Sequence, residues 1–194
     1  MLDAFHVLIL PGWHNSGPDN WQSHWERAFP SMQRVIQDDW ERPDYARWAE
    51  RLSDRIMQCD RPVILIAHSL GTSLATRWAE AGDTGRVAGA FLVAPRDRDT
   101  DAALANSAIT GFAPMRLKTL PFPSMVVASN NDPHVTPERA RQFAQAWGSR
   151  YIDIGSSGHI GASEKLGLWP QGLVLFGRFL ADIEAAASTN GPSA

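Results

Sequence analysis

The sequence predicts an α/β domain in which a mostly parallel, six-stranded sheet is flanked by helices. Short aliphatic runs alternate along the chain with longer amphipathic stretches, as in successive β–α units. Most of these runs are apolar at consecutive positions, which is typical of strands covered on both faces. The length of 194 residues fits one domain, so we expect right-handed crossovers within a single sheet.

The six aliphatic runs are the predicted strands. They are Phe5–Leu10, Gln33–Gln37, Pro62–Ala67, Val87–Ala94, Ser124–Ser129 and Tyr151–Ile154.

Five amphipathic stretches between and after these runs are the predicted helices. They are Pro18–Ala28, Asp44–Met57, Leu70–Ala81, Pro137–Trp147 and Gln171–Ala187. The second has apolar residues at three- and four-residue spacings, from Tyr45 to Ile56, which predicts one buried helix face. Thr136 is a natural N-cap for the helix that opens at Pro137.

Two segments lack a regular pattern. The stretch Pro95–Pro123 suits one helix flanked by loops and is short for a full lid over a binding site, so we expect little or no lid. Residues 185–194 end in Ser-Thr-Asn-Gly-Pro-Ser-Ala, which predicts a flexible tail after a domain covering residues 1–184.

Composition limits the classes of partner. The net charge of -3 gives no general attraction to nucleic acid or to an anionic membrane surface. The single Cys59 excludes a disulfide within the chain, and the sequence has no basic leader before its first apolar run. We therefore expect a cytoplasmic protein that binds neither nucleic acid nor membrane, and we leave a homodimer open.

The most informative segment runs from Val63 to Gly71, where a buried strand meets a helix at Ala67-His68-Ser69-Leu70-Gly71. A serine on such a tight turn, with small residues two before and two after it, is typical of the nucleophile elbow of α/β hydrolases. Ala67 stands where glycine is usual. The alternative is a serine in an ordinary strand-to-helix turn, and the flanking strand and helix favour the nucleophile.

The acid and the base of a serine triad follow the nucleophile in that order in this fold. Asp132 comes after the fifth predicted strand, in Asn-Asp-Pro, and His159 comes after the sixth, between two glycine-containing turns. Since parallel strands end at one edge of a sheet, we expect Ser69, Asp132 and His159 to meet there. Taken alone, Asp132 could be only a turn former.

The other histidines have competing interpretations. His134 lies in the loop of the acid and before the last strand, and His68 should point away from the Ser69 hydroxyl. His6 and His24 are expected to satisfy local hydrogen bonds. No pair has the spacing of a zinc site, so we predict neither a metal nor an organic cofactor.

The loop after the first strand, Pro11-Gly12-Trp13-His14-Asn15, supplies the second oxyanion donor in this fold. We assign the oxyanion hole to the backbone N–H groups of Trp13 and Leu70. A generic glycine–proline loop is the alternative, and a phosphate loop is excluded by the spacing. His14, Asn15 and Trp169 are predicted to line the substrate pocket, while the remaining tryptophans are expected in the core.

Longer stretches of the sequence resemble the small serine hydrolases related to retinoblastoma-binding protein 9 and the bacterial YdeN-like proteins. The stretches that carry the resemblance are Leu10-Pro-Gly-Trp13, Ser16–Trp25, the elbow at Ser69, Val126–Pro133, Gly158-His159 and Leu168–Gly172. The resemblance implies a compact, nearly lidless α/β hydrolase with the triad Ser69, Asp132 and His159. The chain departs from the family at Ala67, and it has no Leu-x-Cys-x-Glu peptide of the retinoblastoma-binding kind.

These features predict a serine hydrolase that cleaves a small ester, thioester or amide through an acyl-enzyme. Its partner would be a small acyl substrate, with short esters as the first candidates. The alternative is a protein-interaction module that keeps the fold and has little catalysis. A haloalkane dehalogenase is disfavoured because the elbow holds a serine and not a carboxylate.

Overall fold

A computed structural model of the chain describes residues 2–189 and contains one six-stranded sheet in which every pairing is parallel. The sheet order is β2-β1-β3-β4-β5-β6. The chain places β2 on one side of β1, and then adds β3 and the later strands on the other side of β1. The strands are β1 His6–Leu10, β2 Met32–Arg34, β3 Val63–His68, β4 Val87–Val93, β5 Ser124–Ala128 and β6 Arg150–Asp153. All six predicted strands are present, and β2 is shorter than predicted.

Within residues 2–189, six α-helices connect and follow the strands, after a short 3₁₀ turn at Leu2–Ala4. They are α1 Trp21–Ala28, α2 Tyr45–Met57, α3 Leu70–Trp78, α4 Asp101–Leu104, α5 Pro137–Trp147 and α6 Pro170–Thr189.

Side-chain caps determine where four of these helices begin. Asn20, Asp44, Thr100 and Thr136 each accept a hydrogen bond from a backbone N–H in the first turn of α1, α2, α4 and α5. The cap at Asn20 explains why α1 starts at Trp21, whereas the sequence predicted a start at Pro18. Thr136 caps α5 as predicted.

The core consists of two layers, one on each face of the sheet. Alternate residues of β3 supply both layers, with Leu65 and Ala67 on one face and Ile64 and Ile66 on the other. Helices α2, α3 and α5 cover the first face, and α1 and α6 cover the second. Every residue of β3 is buried, as the consecutive apolar pattern predicted.

The connection between β4 and β5 contains one helix, the four-residue α4. This agrees with the expectation of one helix flanked by loops and with little or no lid. Arg139 of α5 fastens the connection, because its guanidinium pairs with Asp97 at 3.0 Å and with Asp99 at 2.5 Å.

Helix α6 continues through Thr189, so residues 185–189 of the predicted tail are helical, and the rest of that prediction lies outside the described residues. Within residues 2–189, no helix combines the length and the apolar character that crossing a membrane requires.

Candidate active site

Ser69 occupies a strained turn between the end of β3 and the start of α3. Its φ of 54° and ψ of -120° lie in a region that non-glycine residues rarely adopt. Neighbouring backbone crowds the turn, because a Cβ at Gly71 would lie 2.2 Å from the Leu10 carbonyl oxygen. Ala67, two residues before the serine, is fully buried, so its single methyl group fits where glycine is usual.

Three loops from different strands bring their side chains together above the sheet. The Nε2 atom of His159 lies 2.8 Å from the Ser69 hydroxyl oxygen. The Nδ1 atom of the same ring lies 2.8 Å and 3.0 Å from the two carboxylate oxygens of Asp132. Because a carboxylate only accepts hydrogen bonds, Nδ1 carries the proton and Nε2 is free to accept the hydroxyl proton. The three residues thus form one continuous hydrogen-bonded chain.

The three hydrogen-bonded side chains are mostly shielded from solvent. The Asp132 side chain has no exposed surface, the His159 side chain is 16% exposed, and Ser69 is 5% exposed. A charge-assisted hydrogen bond is stronger in such surroundings than in water. Asp132 also accepts the backbone N–H of His134 at 2.8 Å, which fixes the carboxylate within its own loop.

The acid loop and the histidine loop are joined by polar contacts that sequence reasoning missed. The Ser129 hydroxyl accepts the Ser157 N–H at 2.9 Å and donates to the Asn131 side chain at 2.7 Å. The same Asn131 oxygen accepts the Gly158 N–H at 2.8 Å. The only signal in the sequence was the polar run Ser-Asn-Asn before Asp132, which indicated a turn without indicating its partner.

The side chain of His68 contacts the backbone of the histidine loop. Its Nε2 atom lies 2.9 Å from the carbonyl oxygen of His159, and its ring packs edge-on against Trp21. Burial, followed by the nearby His159, lowers the pKa of His68 from 6.5 to about 3, so the ring is neutral at ordinary pH. His68 therefore donates a hydrogen bond to the backbone, a contact that the sequence did not predict.

His134 packs edge-on against His159, with ring centroids 4.5 Å apart. Burial is the largest cause of its low pKa, and Arg96 is the next, so that the pKa falls from 6.5 to about 4. Elsewhere, His6 pairs with Asp60 at 2.7 Å, across 54 positions of sequence, so its partner is not the local one that was expected.

The two residues assigned to the oxyanion hole come from two different segments beside Ser69. Leu70 is the first residue of α3, so the helix leaves its N–H without an intrahelical acceptor. Trp13 follows Gly12, whose backbone is so close that an added Cβ would lie 2.9 Å from the Ser69 Cβ. The indole of Trp13 donates to the Glu41 carbonyl at 3.0 Å, which holds the loop in place.

An open cleft of about 350 Å³ lies above Ser69 and His159. Trp13, His14 and Asn15 line it, as do residues 161–164 after the histidine. His14 stacks on Trp13 at 4.1 Å and pairs with Glu41 at 2.9 Å. The Asn15 side chain accepts hydrogen bonds from the Ser16 N–H and from Arg34, so its oxygen is already engaged within the protein.

Trp169 does not line the cleft, and its assignment to the pocket wall was wrong. It is 3% exposed and packs against Trp21 and Trp25, with ring centroids 4.9 Å and 6.0 Å apart. The two α1 tryptophans form an aromatic surface on the second face of the sheet, and the Trp169 ring is buried against it. Proximity in sequence to the histidine loop was a poor guide.

Within the described residues, no group of three or more His, Cys, Asp or Glu side chains is arranged to hold a metal ion.

A family model of serine hydrolases matches residues 7–178, which is most of the chain. The chain belongs to the serine hydrolase family. This serine hydrolase is similar to a YdeN-like hydrolase from Pectobacterium atrosepticum, with 34% sequence identity, a TM-score of 0.82 and coverage of 93% of each chain. The resemblance to YdeN-like hydrolases is therefore confirmed, as is the α/β-hydrolase fold.

More distant structures share the fold of this serine hydrolase. The ydeN gene product of B. subtilis is 18% identical, with a TM-score of 0.74, and the match covers 90% of this chain and 98% of that one. An esterase from Thermogutta terrifontis is 15% identical, with a TM-score of 0.65 and coverage of 91% and 89% of the two chains. The comparison with curated proteins gave no match.

Proposed function

We propose that this serine hydrolase cleaves a small ester, thioester or amide through an acyl-enzyme on Ser69. The observation that carries the proposal is the unbroken hydrogen-bonded chain from the Ser69 hydroxyl through His159 to Asp132. Its distances are those at which a histidine can take a proton from a nucleophile while a carboxylate holds the ring.

In the first step, His159 Nε2 removes the Ser69 proton as the oxygen attacks the substrate carbonyl carbon. Asp132 holds the Nδ1 tautomer and stabilises the imidazolium that forms. The N–H groups of Trp13 and Leu70 bind the developing oxyanion, and the N-terminal end of α3 adds a favourable dipole. His159 then donates its proton to the leaving group.

In the second step, His159 takes a proton from water, and the resulting hydroxide attacks the acyl carbon. The bond to the Ser69 oxygen breaks, the acid product leaves, and the serine regains its proton. The mechanism uses no metal and no organic cofactor. The small, open cleft favours short acyl groups, because little of the chain is available to build a long acyl tunnel.

The proposal also covers the cellular location and the binding partners of the enzyme. A cytoplasmic location is supported by the lone cysteine, Cys59, which is buried and free. The net charge of -3 supports a small-molecule substrate in preference to nucleic acid or a membrane surface. Sedimentation of the purified protein will decide whether the enzyme is a homodimer, a point that the sequence leaves open.

The test is labelling with a fluorophosphonate probe, which reacts with activated serines. The wild type should be labelled and should hydrolyse p-nitrophenyl acetate, and Ser69→Ala should lose both properties while retaining its circular dichroism spectrum. Ser107→Ala is the matched control, because Ser107 is an exposed serine in the β4–β5 connection. Labelling of Ser69→Ala at the wild-type rate would exclude Ser69 as the nucleophile, and a folded, unreactive wild type would favour the interaction module.

A further inference from the structure

Arg96 follows β4 and lines the cleft that contains Ser69 and His159. It also lines a second cavity of about 250 Å³, which lies beside the acid loop and α4. The two cavities share Arg96, Pro133 and His134 in their walls. The arginine therefore stands between the space above the serine and an additional space into which a substrate could extend.

The guanidinium of Arg96 is half-buried and forms no hydrogen bond or ion pair with any residue in the range 2–189. The acidic side chains next to it in sequence are engaged elsewhere, since Asp97 and Asp99 both pair with Arg139. The carboxylate of Asp132, which also interacts electrostatically with Arg96, is bonded to His159.

The acidic groups around the cleft are also occupied. Glu164 lines the cleft, but its carboxylate accepts the Gly161 N–H at 2.6 Å and the Ser163 hydroxyl at 2.9 Å. Glu41 pairs at 2.9 Å with His14, which lines the cleft. Among the described residues that line the cleft, Arg96 is thus a positive charge with no anionic partner of its own.

The position of Arg96 suits recognition of an anion. Its guanidinium lies over the Trp13 ring, 5.9 Å from the centroid, and Trp13 is itself held by its hydrogen bond to Glu41. Burial lowers the pKa of Arg96 below its ordinary value, yet an arginine stays charged throughout the working range of an enzyme. A partly desolvated, planar fork of N–H donors matches the two oxygens of a carboxylate.

We propose that Arg96 binds a carboxylate of the substrate, so that the enzyme prefers acyl compounds carrying a free carboxylate to their neutral counterparts. The inference rests on the proposed function of Ser69. The carboxylate could belong to the acyl group or to the leaving group, because both project from the same reacting carbon. The recognition chemistry at Arg96 is the same in either case.

The experiment compares kcat/KM for two pairs of esters, with the uncatalysed rate subtracted. In the acyl pair, the mono-p-nitrophenyl ester of glutarate is compared with p-nitrophenyl pentanoate. In the leaving-group pair, p-acetoxybenzoate is compared with p-acetoxybenzamide. The wild type should prefer the anion in one pair, and that pair identifies the source of the carboxylate.

Arg96→Gln should lower the anion-to-neutral ratio in the preferred pair by about tenfold to a hundredfold, mainly through KM. Arg96→Lys should give an intermediate ratio, because it keeps the charge but not the fork. Arg178→Gln is the matched control, since it removes one positive charge from an exposed position on α6. Its ratio should equal that of the wild type.

Two results would overturn the role of Arg96. One is a wild type that is active and labelled at Ser69 but prefers the anion in neither pair. The other is an Arg96→Gln protein in which both members of a pair slow by the same factor. If the Arg96 variants do not fold, inhibition of the wild-type enzyme tests the role of Arg96 instead. Glutarate should inhibit the hydrolysis of p-nitrophenyl acetate competitively, and the neutral glutaramide should not. Failure of the Ser69 proposal would instead appear as activity that survives Ser69→Ala.

Discussion

The imidazole of His68 donates a hydrogen bond to the backbone carbonyl of His159, 2.9 Å away, across 91 positions of sequence. The residue before the proposed nucleophile thereby holds the loop of the proposed base. Since burial lowers the pKa of His68 to about 3, the ring makes this contact in its neutral form near neutral pH. The serine and histidine loops are therefore tied together independently of the bond between their side chains.

Replacing His68 should slow catalysis by moving the His159 ring. In His68→Leu, the part-buried carbonyl of His159 loses its donor, and we expect kcat to fall about tenfold to a hundredfold with a smaller change in KM. His68→Gln, whose amide can donate to the same carbonyl, should recover most of kcat. Steady-state kinetics on p-nitrophenyl acetate measures both. If His68→Leu and His68→Gln give the same kcat, the hydrogen bond from His68 does not position the base.

Acid should destabilise the folded protein through His68 and His134. Both have a lowered pKa in the folded state, to about 3 and about 4, whereas an unfolded histidine has a pKa near 6.5. Below pH 6.5 the unfolded chain binds protons that the folded chain does not, so the free energy of unfolding decreases as pH falls towards 4. Above pH 6.5 this contribution to stability is fully present.

Urea unfolding between pH 7.5 and pH 4.5 measures this effect. We expect the free energy of unfolding to depend less steeply on pH in His134→Gln than in the wild type. The control is His24→Gln, because His24 lies on α1 and does not line the cleft. A His134→Gln slope equal to that of the wild type would contradict the lowered pKa.

Asp132→Asn should impair catalysis while the fold stays intact. The asparagine oxygen can still accept the His134 N–H, but the amide can no longer hold His159 in the Nδ1–H tautomer as a carboxylate does. By analogy with serine triads in general, we expect kcat to fall by roughly a thousandfold or more. The rate of fluorophosphonate labelling reports the same loss. Labelling at the wild-type rate would mean that Asp132 has only a turn-forming role.

Gly12→Ala should disturb the oxyanion loop more than the fold. The added methyl group would lie 2.9 Å from the Ser69 Cβ and 3.3 Å from its Oγ, so the loop must move away from the serine. A displaced donor costs roughly a hundredfold in kcat. Gly177→Ala is the control, because a Cβ there meets nothing within 4 Å and the position lies inside α6. A Gly12→Ala enzyme with wild-type kcat would place the second oxyanion donor elsewhere.

The sequence predicted the features that depend on the backbone of a parallel sheet. Ser69, Asp132 and His159 each follow a different strand, and the carboxyl ends of parallel strands converge, so their meeting could be foreseen. The consecutive burial along β3 likewise follows from its apolar run.

Features that depend on side-chain packing between distant segments could not be read from the chain. The burial of Trp169 needs the Trp21–Trp25 surface of α1, and the bond from His68 needs a loop that returns 91 positions later. The residues around Asn131 predicted an ordinary turn, and they did not indicate that its side chain accepts a hydrogen bond from Gly158. The sequence thus assigns single residues to loops, but the residues that they contact can be identified only from the folded structure.

The short α4 connection also affects what happens to an acyl group once it is attached to Ser69. The connection that holds the four-residue α4 leaves the cleft above Ser69 open, so that water, by far the most abundant acceptor, can enter and reach the acyl group although Ser69 itself is buried. Added alcohols or amines would compete poorly, so transacylation should be a minor reaction and release of the free acid the main one.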